Sequence, residues 1–411
     1  MKHWIFNGNV YVDGRFIAAD LGYEDGRITD IVERKERGSR LEEASAKTSE
    51  TNRAASDEPR GGYCFDAGGE YVIPGFFDIH THGAAGHDVN ASDREDFQAI
   101  GHFKALHGTT SWFCSILTDT EEQTSHCIRE AVAHMRDHED CANLQGIHLE
   151  GPFLEKEYKG AMPEWLLREA DYDLTARYQE QAEGNIRYMT VSPMVKGVPE
   201  LIPELLKLNI KVAIGHSGAD YDTAWKCIRN GASCATHTFN AMGLFHQHQP
   251  AIMGACLESD IYCEAICDGL HLHPGAVRFL LKMKGFDRVV AITDSIMAAG
   301  LKDGRYKLGV NDVIVKNSDA RLAEGNSRVG STLTMDRALR NLLSFTGRPL
   351  EEILPLLTIN PAKAAGMDDQ IGSLEVGKQA DVVILDSEYQ VMDTFVKGER
   401  IDRSRTVEEV S

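Results

Sequence analysis

Two histidines early in the chain are spaced to share a metal ion. His80 and His82 end a short apolar run and are separated by one residue. In an extended strand, residues two apart point to the same side, so both imidazoles can reach one cation. Imidazole is a good ligand for Zn²⁺ and Fe²⁺. The pair alone also fits two hydrogen-bonded core histidines, so a metal site requires further ligands.

Further metal-type side chains stand at the ends of later apolar runs. Glu150, His216 and His237 each lie at or near such an end, and Asp294 ends the last run. Packing alone does not explain five imidazole and carboxylate groups at the ends of four different runs. The pattern therefore predicts a site for divalent metal, with Asp294 beside it. We expect His148, two residues before Glu150, to support the ligands rather than to join them.

Eight apolar runs that alternate with amphipathic stretches must position these groups. The runs cover 76–82, 110–117, 144–150, 188–194, 212–216, 233–239, 261–268 and 289–294. Nearly continuous apolar runs are typical of parallel strands buried on both faces. Eight of them over roughly 250 residues predict an α/β fold, a (β/α)₈ TIM barrel over 74–360. A doubly wound open sheet is the alternative. The barrel is favoured because its strand ends bring all the candidate ligands to one face.

The two ends of the chain, 1–73 and 361–411, show short strands and turns instead. Asn7-Gly8 and Asp13-Gly14 are dipeptides typical of hairpins. Each segment alone has too few strands for a stable core. We therefore expect both segments to form one small β-sandwich beside the barrel, rather than a separate C-terminal domain. The stretch at about 33–62 is rich in Ser, Glu, Ala, Arg and Lys and is predicted to be a mobile insert.

Composition narrows the function classes. The 411 residues are 42% hydrophobic and 26% charged, as in ordinary globular proteins, and the net charge is −20. This charge disfavours nucleic acids and anionic membranes as partners. No apolar run reaches the roughly 20 residues that span a bilayer, and the N-terminus becomes polar too early for a signal peptide. Nine cysteines without a C-x-x-C pair fit reduced thiols in the cytoplasm. Five other histidines are expected at the surface: His102, His107, His126, His134 and His138.

Together these motifs resemble the amidohydrolase superfamily. The segment 74–83, Pro-Gly-Phe-Phe-Asp-Ile-His-Thr-His-Gly, is general to the superfamily. Four further segments resemble, more narrowly, deacetylases of N-acetylated amino-sugar phosphates: 148–153, 236–242, 268–271 and 330–335. The similarity extends from Gly69 through the C-terminal strands, and therefore covers nearly the whole chain outside the polar insert.

The resemblance implies a role for each metal ligand. Glu150, His216 and His237 hold the ion that all members bind. His80 and His82 hold a second ion, which some members lack, so the expected content is one or two ions of Zn²⁺ or Fe²⁺. Glu150 lies between the two ions.

The resemblance also implies an activity, removal of the acetyl group from an N-acetylated hexosamine 6-phosphate. Asp294 acts as general base and then general acid, and His271 polarises the acetyl carbonyl. Substrate contacts are expected from Asn240, Ala241, Ala161, Met162 and Gly330. Another hexosamine, an unphosphorylated sugar or a different N-acyl compound stays open as substrate. A non-catalytic binding protein is disfavoured, because it has no need of a proton-transfer group such as Asp294.

Three positions depart from the pattern of these deacetylases. His248 stands where an Arg usually holds the phosphate across a subunit interface, and His is smaller and only partly charged at pH 7. Met162 replaces a His or Gln. Arg328 replaces a small or apolar residue and is a candidate for the missing positive charge. An interface that completes the site makes a homodimer the expected assembly.

Overall fold

The computed structural model describes residues 1–34 and 62–404. The strands are β1 (His3–Val12), β2 (Arg15–Glu24), β3 (Arg27–Glu33), β4 (Cys64–Asp66), β5 (Tyr71–Pro74), β6 (Phe76–Asp78), β7 (Gly83–Ala84), β8 (His87–Asp88), β9 (Thr109–Leu117), β10 (Asn143–Glu150), β11 (Ile186–Val191), β12 (Lys211–Ile214), β13 (Cys234–Ala235), β14 (Tyr262–Ile266), β15 (Val289–Ile292), β16 (Gly304–Leu308), β17 (Asn311–Lys316), β18 (Asp319–Leu322), β19 (Val382–Leu385), β20 (Val391–Val396) and β21 (Glu399–Arg400). The helices are α1 (Arg94–Leu106), α2 (Glu121–Arg136), α3 (Tyr172–Gln181), α4 (Val198–Lys207), α5 (Tyr221–Arg229), α6 (Ala251–Glu258), α7 (Pro274–Lys284), α8 (Met335–Thr346), α9 (Leu350–Leu357) and α10 (Ile359–Ala365). Within these ranges no helix has the length and apolar character needed to cross a membrane. The predicted polar insert lies almost entirely outside the described residues.

Eight parallel strands form the predicted barrel. They follow one another in the order β6, β9, β10, β11, β12, β13, β14, β15. The first and last strands meet through a parallel bridge between Thr81 and Ser295, where the His82 amide donates to the Ser295 carbonyl at 2.7 Å. The sequence prediction of a (β/α)₈ barrel is confirmed, and the open-sheet alternative is wrong.

The barrel strands are buried on both faces, as their apolar composition predicts. All nine residues of β9 are buried. Three helices between the strands begin at side chains that cap them: Asp93 and Asp96 form a capping box at α1, and Thr120 and Asp220 cap α2 and α5. At these three helices the cap fixes where the helix starts, and so how the preceding loop enters it.

Every predicted apolar run overlaps one barrel strand, but several strands stop before the run does. The sixth run, 233–239, contains only the two-residue strand β13. These strands end early because the backbone turns at the candidate site residues: His216, His237 and Asp294 have φ angles of +46°, +27° and +49°. Such left-handed backbone is incompatible with a continuing strand and is rare outside glycine. The chain thus leaves the sheet where it presents the candidate ligands.

Both ends of the chain join in one second sheet, as predicted. Its strand order is β21, β20, β19, β5, β1, β2, β3, with β4 beside β1. This sheet has its own apolar core, and Ile28 on β3 exchanges backbone hydrogen bonds with Gly377 and Lys378 in the segment before β19. Alternate residues of β19 face this core and the barrel core. The domain boundaries at 73/74 and 360/361 stay a prediction, and the second falls within α10.

Two local expectations differ from the structure, and one sheet was not expected. Asn7-Gly8 is a register shift inside β1 rather than a hairpin turn, whereas Asp13-Gly14 does join β1 to β2. His134 is fully buried, not at the surface, and burial lowers its pKa to about 4. Strands β16 to β18 form a separate antiparallel sheet that the sequence reasoning missed. This sheet packs on the loops after the barrel strands, through an apolar cluster that includes Leu117 and Leu154.

Candidate metal centre and active site

Five predicted ligands converge at the carboxyl ends of the barrel strands. Two groups have ligand atoms within 4.8 Å of one another: His80, His82 and Glu150, and Glu150, His216 and His237. Glu150 belongs to both groups. Its Oε1 lies 3.2 Å from His216 Nε2 and 3.3 Å from His237 Nε2, and its Oε2 lies 3.3 Å from His82 Nε2. The carboxylate therefore lies between the two pairs of histidines.

Outer partners fix the tautomers of three of the four imidazoles. Nδ1 of His82 lies 2.9 Å from the Ser115 carbonyl, and Nδ1 of His216 lies 2.7 Å from the Tyr158 carbonyl. Because a carbonyl oxygen only accepts, each Nδ1 must carry the proton. His80 donates in the same way to the Glu264 carboxylate. In all three rings, Nε2 is left free to bind a cation.

The distances between the Nε2 atoms test whether a metal fits this pocket. His80 Nε2 and His82 Nε2 are 3.2 Å apart, and His216 Nε2 and His237 Nε2 are 3.0 Å apart. Two lone pairs at these distances repel unless a proton or a cation lies between them. All five ligands are buried, and a nitrogen and carboxylate donor set suits a divalent transition metal. The residues present therefore fit the metal that the sequence predicts.

Asp294 faces the same cluster from the end of β15. Its Oδ1 lies 3.2 Å from His82 Nε2 and 3.7 Å from His80 Nε2. Burial raises the pKa of Asp294, but the hydrogen bond from His82 and the charge of His80 outweigh this effect and hold the pKa below its usual value. Asp294 is therefore held as a carboxylate beside the metal ligands.

The carboxylates also control how the histidines titrate. Burial lowers the pKa of His82, but Asp294 and Glu150 raise it overall to about 9. The Glu150 carboxyl has a pKa well below its usual range, because His80, His216 and His237 overcome the cost of its burial. A cation that displaces these protons is therefore surrounded by imidazole nitrogens and carboxylate oxygens that can donate electron pairs to it.

His148 behaves as expected from the sequence. Its two ring nitrogens contact the hydroxyls of Ser115 and Thr190 at 2.8 and 2.9 Å. Its ring meets His80 edge-on at 4.5 Å between centroids. Burial holds the pKa of His148 well below its usual value. It therefore packs against a ligand as a neutral side chain.

Two buried groups behind the ligands were missed by sequence reasoning. Glu264, on β14, contacts His80 and the backbone of His237. Asp78 accepts from Lys104 Nζ at 2.8 Å and from Thr293 Oγ1 at 2.6 Å. A signal was available, since each carboxylate interrupts a run that is otherwise buried on both faces, where a charge needs a partner.

The turn that carries His271 is tightly held. Asp268 accepts from His271 Nδ1 at 2.7 Å and from the His271 and Leu270 amides. Nδ1 is thereby engaged, which leaves Nε2 to meet a substrate. Arg328 donates to the Leu270 carbonyl at 2.8 Å and forms a two-pronged ion pair with Asp319. The Arg328 guanidinium thus supports the His271 turn, and its predicted contact with a phosphate stays a prediction.

The other predicted substrate residues lie in loops after the barrel strands. Asn240 donates to the His237 carbonyl, and Ala241 accepts from the Ser217 amide. His248 lies in the exposed stretch 244–249. Asn240 thus supports the backbone of the ligand His237, and the contacts of all three residues with a substrate stay predictions.

Two of the remaining candidates pack under the small antiparallel sheet. Met162 is only 2% exposed and packs with Leu154 and Ile296. The Ala161 carbonyl accepts from Asn311 at 2.8 Å. Gly330 has φ +50°, and a Cβ there would lie 2.3 Å from Ile296 Cγ2, so the position requires glycine.

Comparison with known proteins agrees with this site. The sequence profile described as "Amidohydrolase family" matches residues 71–401. The chain therefore belongs to the amidohydrolase family. It is 35% identical over 331 residues to the N-acetylglucosamine-6-phosphate deacetylase of Bacillus subtilis (strain 168), which is 80% of this chain and 83% of the relative.

Two further similarities point the same way. The N-acetylgalactosamine-6-phosphate deacetylase of Escherichia coli O157:H7 is 31% identical over 80% of this chain and 87% of its own. The crystal structure of N-acetylglucosamine-6-phosphate deacetylase from Pasteurella multocida superposes with a TM-score of 0.86 at 27% identity, over 97% of this chain and 99% of that one. The resemblance seen in the sequence motifs is confirmed.

Proposed function

We propose that the chain hydrolyses the acetyl amide of N-acetylglucosamine 6-phosphate, giving glucosamine 6-phosphate and acetate. The observation that carries the proposal is the geometry of Asp294, whose Oδ1 lies 3.2 Å from His82 in a pocket of five metal ligands. The 35% identity to the Bacillus subtilis deacetylase supports the substrate.

The metal has a defined place in this proposal. His80, His82, Glu150, His216 and His237 would hold two divalent ions, Zn²⁺ or Fe²⁺. When bound, such ions lower the pKa of water from 15.7 to about 7 and polarise a carbonyl oxygen. The two groups of ligands that share Glu150, each with a close pair of Nε2 atoms, support two ions rather than one.

The side chains of this chain then move the proton. Asp294 accepts a proton from the attacking water, and the same carboxyl delivers it to the departing amide nitrogen. With both ring nitrogens protonated, His271 donates from Nε2 to the acetyl oxygen as negative charge develops there. Asp268 accepts from Nδ1, and its negative charge orients the ring and favours this doubly protonated form. Each group moves or stabilises charge at a different atom of the amide.

The sugar phosphate is held by the loops after the barrel strands. Asn240 and Ala241 contact the sugar, with Ala161, Met162 and Gly330 around it. His248 takes the phosphate, with Arg328 as the second cationic candidate. Leu244 and Phe245, 80% and 59% exposed beside His248, support a homodimer in which this loop reaches the neighbouring site. Nine free cysteines support a cytoplasmic location.

N-acetylgalactosamine 6-phosphate is the second candidate substrate, because a deacetylase for that sugar is 31% identical. Initial rates on both 6-phosphates and on unphosphorylated N-acetylglucosamine separate the possibilities. We expect kcat/KM to be highest for N-acetylglucosamine 6-phosphate. Equal rates on phosphorylated and unphosphorylated sugar would remove the phosphate from the proposal, and no acetate release from any of the three would contradict the activity.

A further inference from the structure

A fully buried carboxylate behind the metal ligands has no part in the proposed mechanism. Glu264 lies in the middle of β14 and has no exposed surface. Its Oε2 is 3.0 Å from His80 Nδ1 and 2.9 Å from the His237 amide. Its Oε1 accepts from the Tyr188 hydroxyl at 2.7 Å. Three donors therefore meet one carboxylate, which offsets the cost of burying it.

The two contacts of Oε2 reach different metal groups. His80 belongs to the group with His82, and His237 belongs to the group with His216. The contact with His80 places the proton on Nδ1 and keeps Nε2 free. The contact with His237 holds its backbone amide in a conformation with φ +27°, which an L-residue rarely adopts.

We propose that Glu264 is a positioning residue that couples the two metal groups, because a single oxygen atom fixes the ring of His80 and the backbone of His237. The inference rests on the metal site of the proposed function and goes beyond its ligands. Loss of this carboxylate weakens both ions together. Outer partners of metal ligands commonly change metal affinity by about 10- to 100-fold.

Tyr188 holds the opposite oxygen of the same carboxylate. Its hydroxyl is buried and donates to Glu264 rather than to a predicted metal ligand. Removing the hydroxyl allows the Glu264 carboxylate to rotate. The carboxylate keeps its charge, and both Oε2 contacts can still form. Tyr188→Phe is therefore a milder test of the role of Glu264.

Metal binding, measured apart from catalysis, tests the proposal. The full-length chain is stripped with a chelator and titrated with Co²⁺, followed by visible absorption. We expect Glu264→Gln to bind both Co²⁺ ions at least about 10-fold more weakly than the natural chain. We also expect the rise in Tm on adding Co²⁺ to shrink, because a ligand stabilises a fold according to its affinity.

A matched control removes a different buried carboxylate. Asp381 is 5% exposed, and its backbone oxygen accepts from Gly75 at the start of the barrel, the end opposite the ligands. Asp381→Asn should leave both Co²⁺ affinities unchanged. Unchanged affinities in Glu264→Gln, or weakening of only one binding step, would contradict the proposal that Glu264 couples the two metal groups.

If Glu264→Gln does not fold, Tyr188→Phe decides the matter. Several-fold weaker binding of both ions in Tyr188→Phe supports the coupling by Glu264, and wild-type affinity contradicts it. The result is separate from the proposed function. A natural chain that binds two Co²⁺ ions but releases no acetate contradicts the activity alone, and a chain that binds none contradicts the metal site itself.

Discussion

Asp294 Oδ1 lies 3.2 Å from His82 Nε2, so the segment after the last barrel strand presents its carboxylate to a ligand that follows the first strand. The contact forms where the barrel closes, beside the Thr81–Ser295 bridge. Barrel closure and the catalytic geometry therefore depend on the same backbone. Thr293, one residue before Asp294, is in turn held by Asp78.

We predict that Asp294→Asn abolishes turnover and leaves the metal in place. The carboxamide keeps the shape but cannot accept and return a proton, and general acid–base catalysis contributes about 10²- to 10⁴-fold. The measurement is kcat together with metal content by elemental analysis. Asp287→Asn, just before the other end of β15, serves as control and should retain normal kcat. A near-normal kcat in Asp294→Asn would remove this residue from the mechanism.

We predict two divalent ions per chain. Purification without chelators and elemental analysis should give a stoichiometry of two, falling toward one in His82→Ala. His246→Ala, which removes an exposed imidazole, should keep both ions. A stoichiometry of one in the natural chain, unchanged by added metal, would make His80 and His82 structural. Chelation should stop activity but preserve the far-ultraviolet circular dichroism, because the barrel core is apolar.

We predict that metal affinity rises with pH between about 6 and 9. His82 has a pKa raised to about 9 in the metal-free protein, so a proton competes with the cation below that pH. Apparent Kd values for Co²⁺ measured at several pH values check this. An affinity that is flat across the range would mean that His82 does not bind the ion.

The barrel and the metal ligands could be predicted from the sequence because both leave periodic signals. Eight apolar runs mark the strands, and the ligands recur at their ends. Glu264 and Lys104 could not be placed, since what matters for each is a partner distant in sequence, His80 and Asp78 respectively. Pairings of this kind arise only when the barrel brings its strands and helices together.

The loops were harder to predict than the strands. Sheet β16–β18 has alternating exposed and buried residues, but its position over the barrel mouth depends on contacts with Leu154 and Met162. Arg328 illustrates the consequence. Its sequence position suggested a free cation, whereas Asp319 on β18 forms an ion pair with it.

We predict that the buried carboxyl of Asp381 reduces stability as pH rises. Burial raises its pKa to about 6, against a hydrogen bond from the Lys397 amide. The folded state thus holds this proton more tightly than the unfolded chain. The stabilisation is complete below about pH 4 and is lost as pH rises through 6. Relative to the natural chain, Asp381→Asn should therefore gain up to about 3 kcal/mol between pH 4 and pH 8. Tm values of both proteins across this range provide the test, and a constant difference would contradict the raised pKa.

We predict that His248 and Arg328 affect different kinetic constants. His248→Arg adds a permanent, forked charge at an exposed position, so KM for the phosphorylated sugar should fall several-fold while that for the unphosphorylated sugar stays constant. Gln247→Arg, which adds the same charge one residue away, is the matched control.

Arg328→Ala removes the hydrogen bond to the Leu270 carbonyl beside His271. We expect kcat to fall roughly 10-fold for both sugars, because small misplacements of a catalytic group are costly. If Arg328→Ala instead raises KM for the phosphorylated sugar alone, the guanidinium binds the phosphate and its contact with Leu270 is secondary.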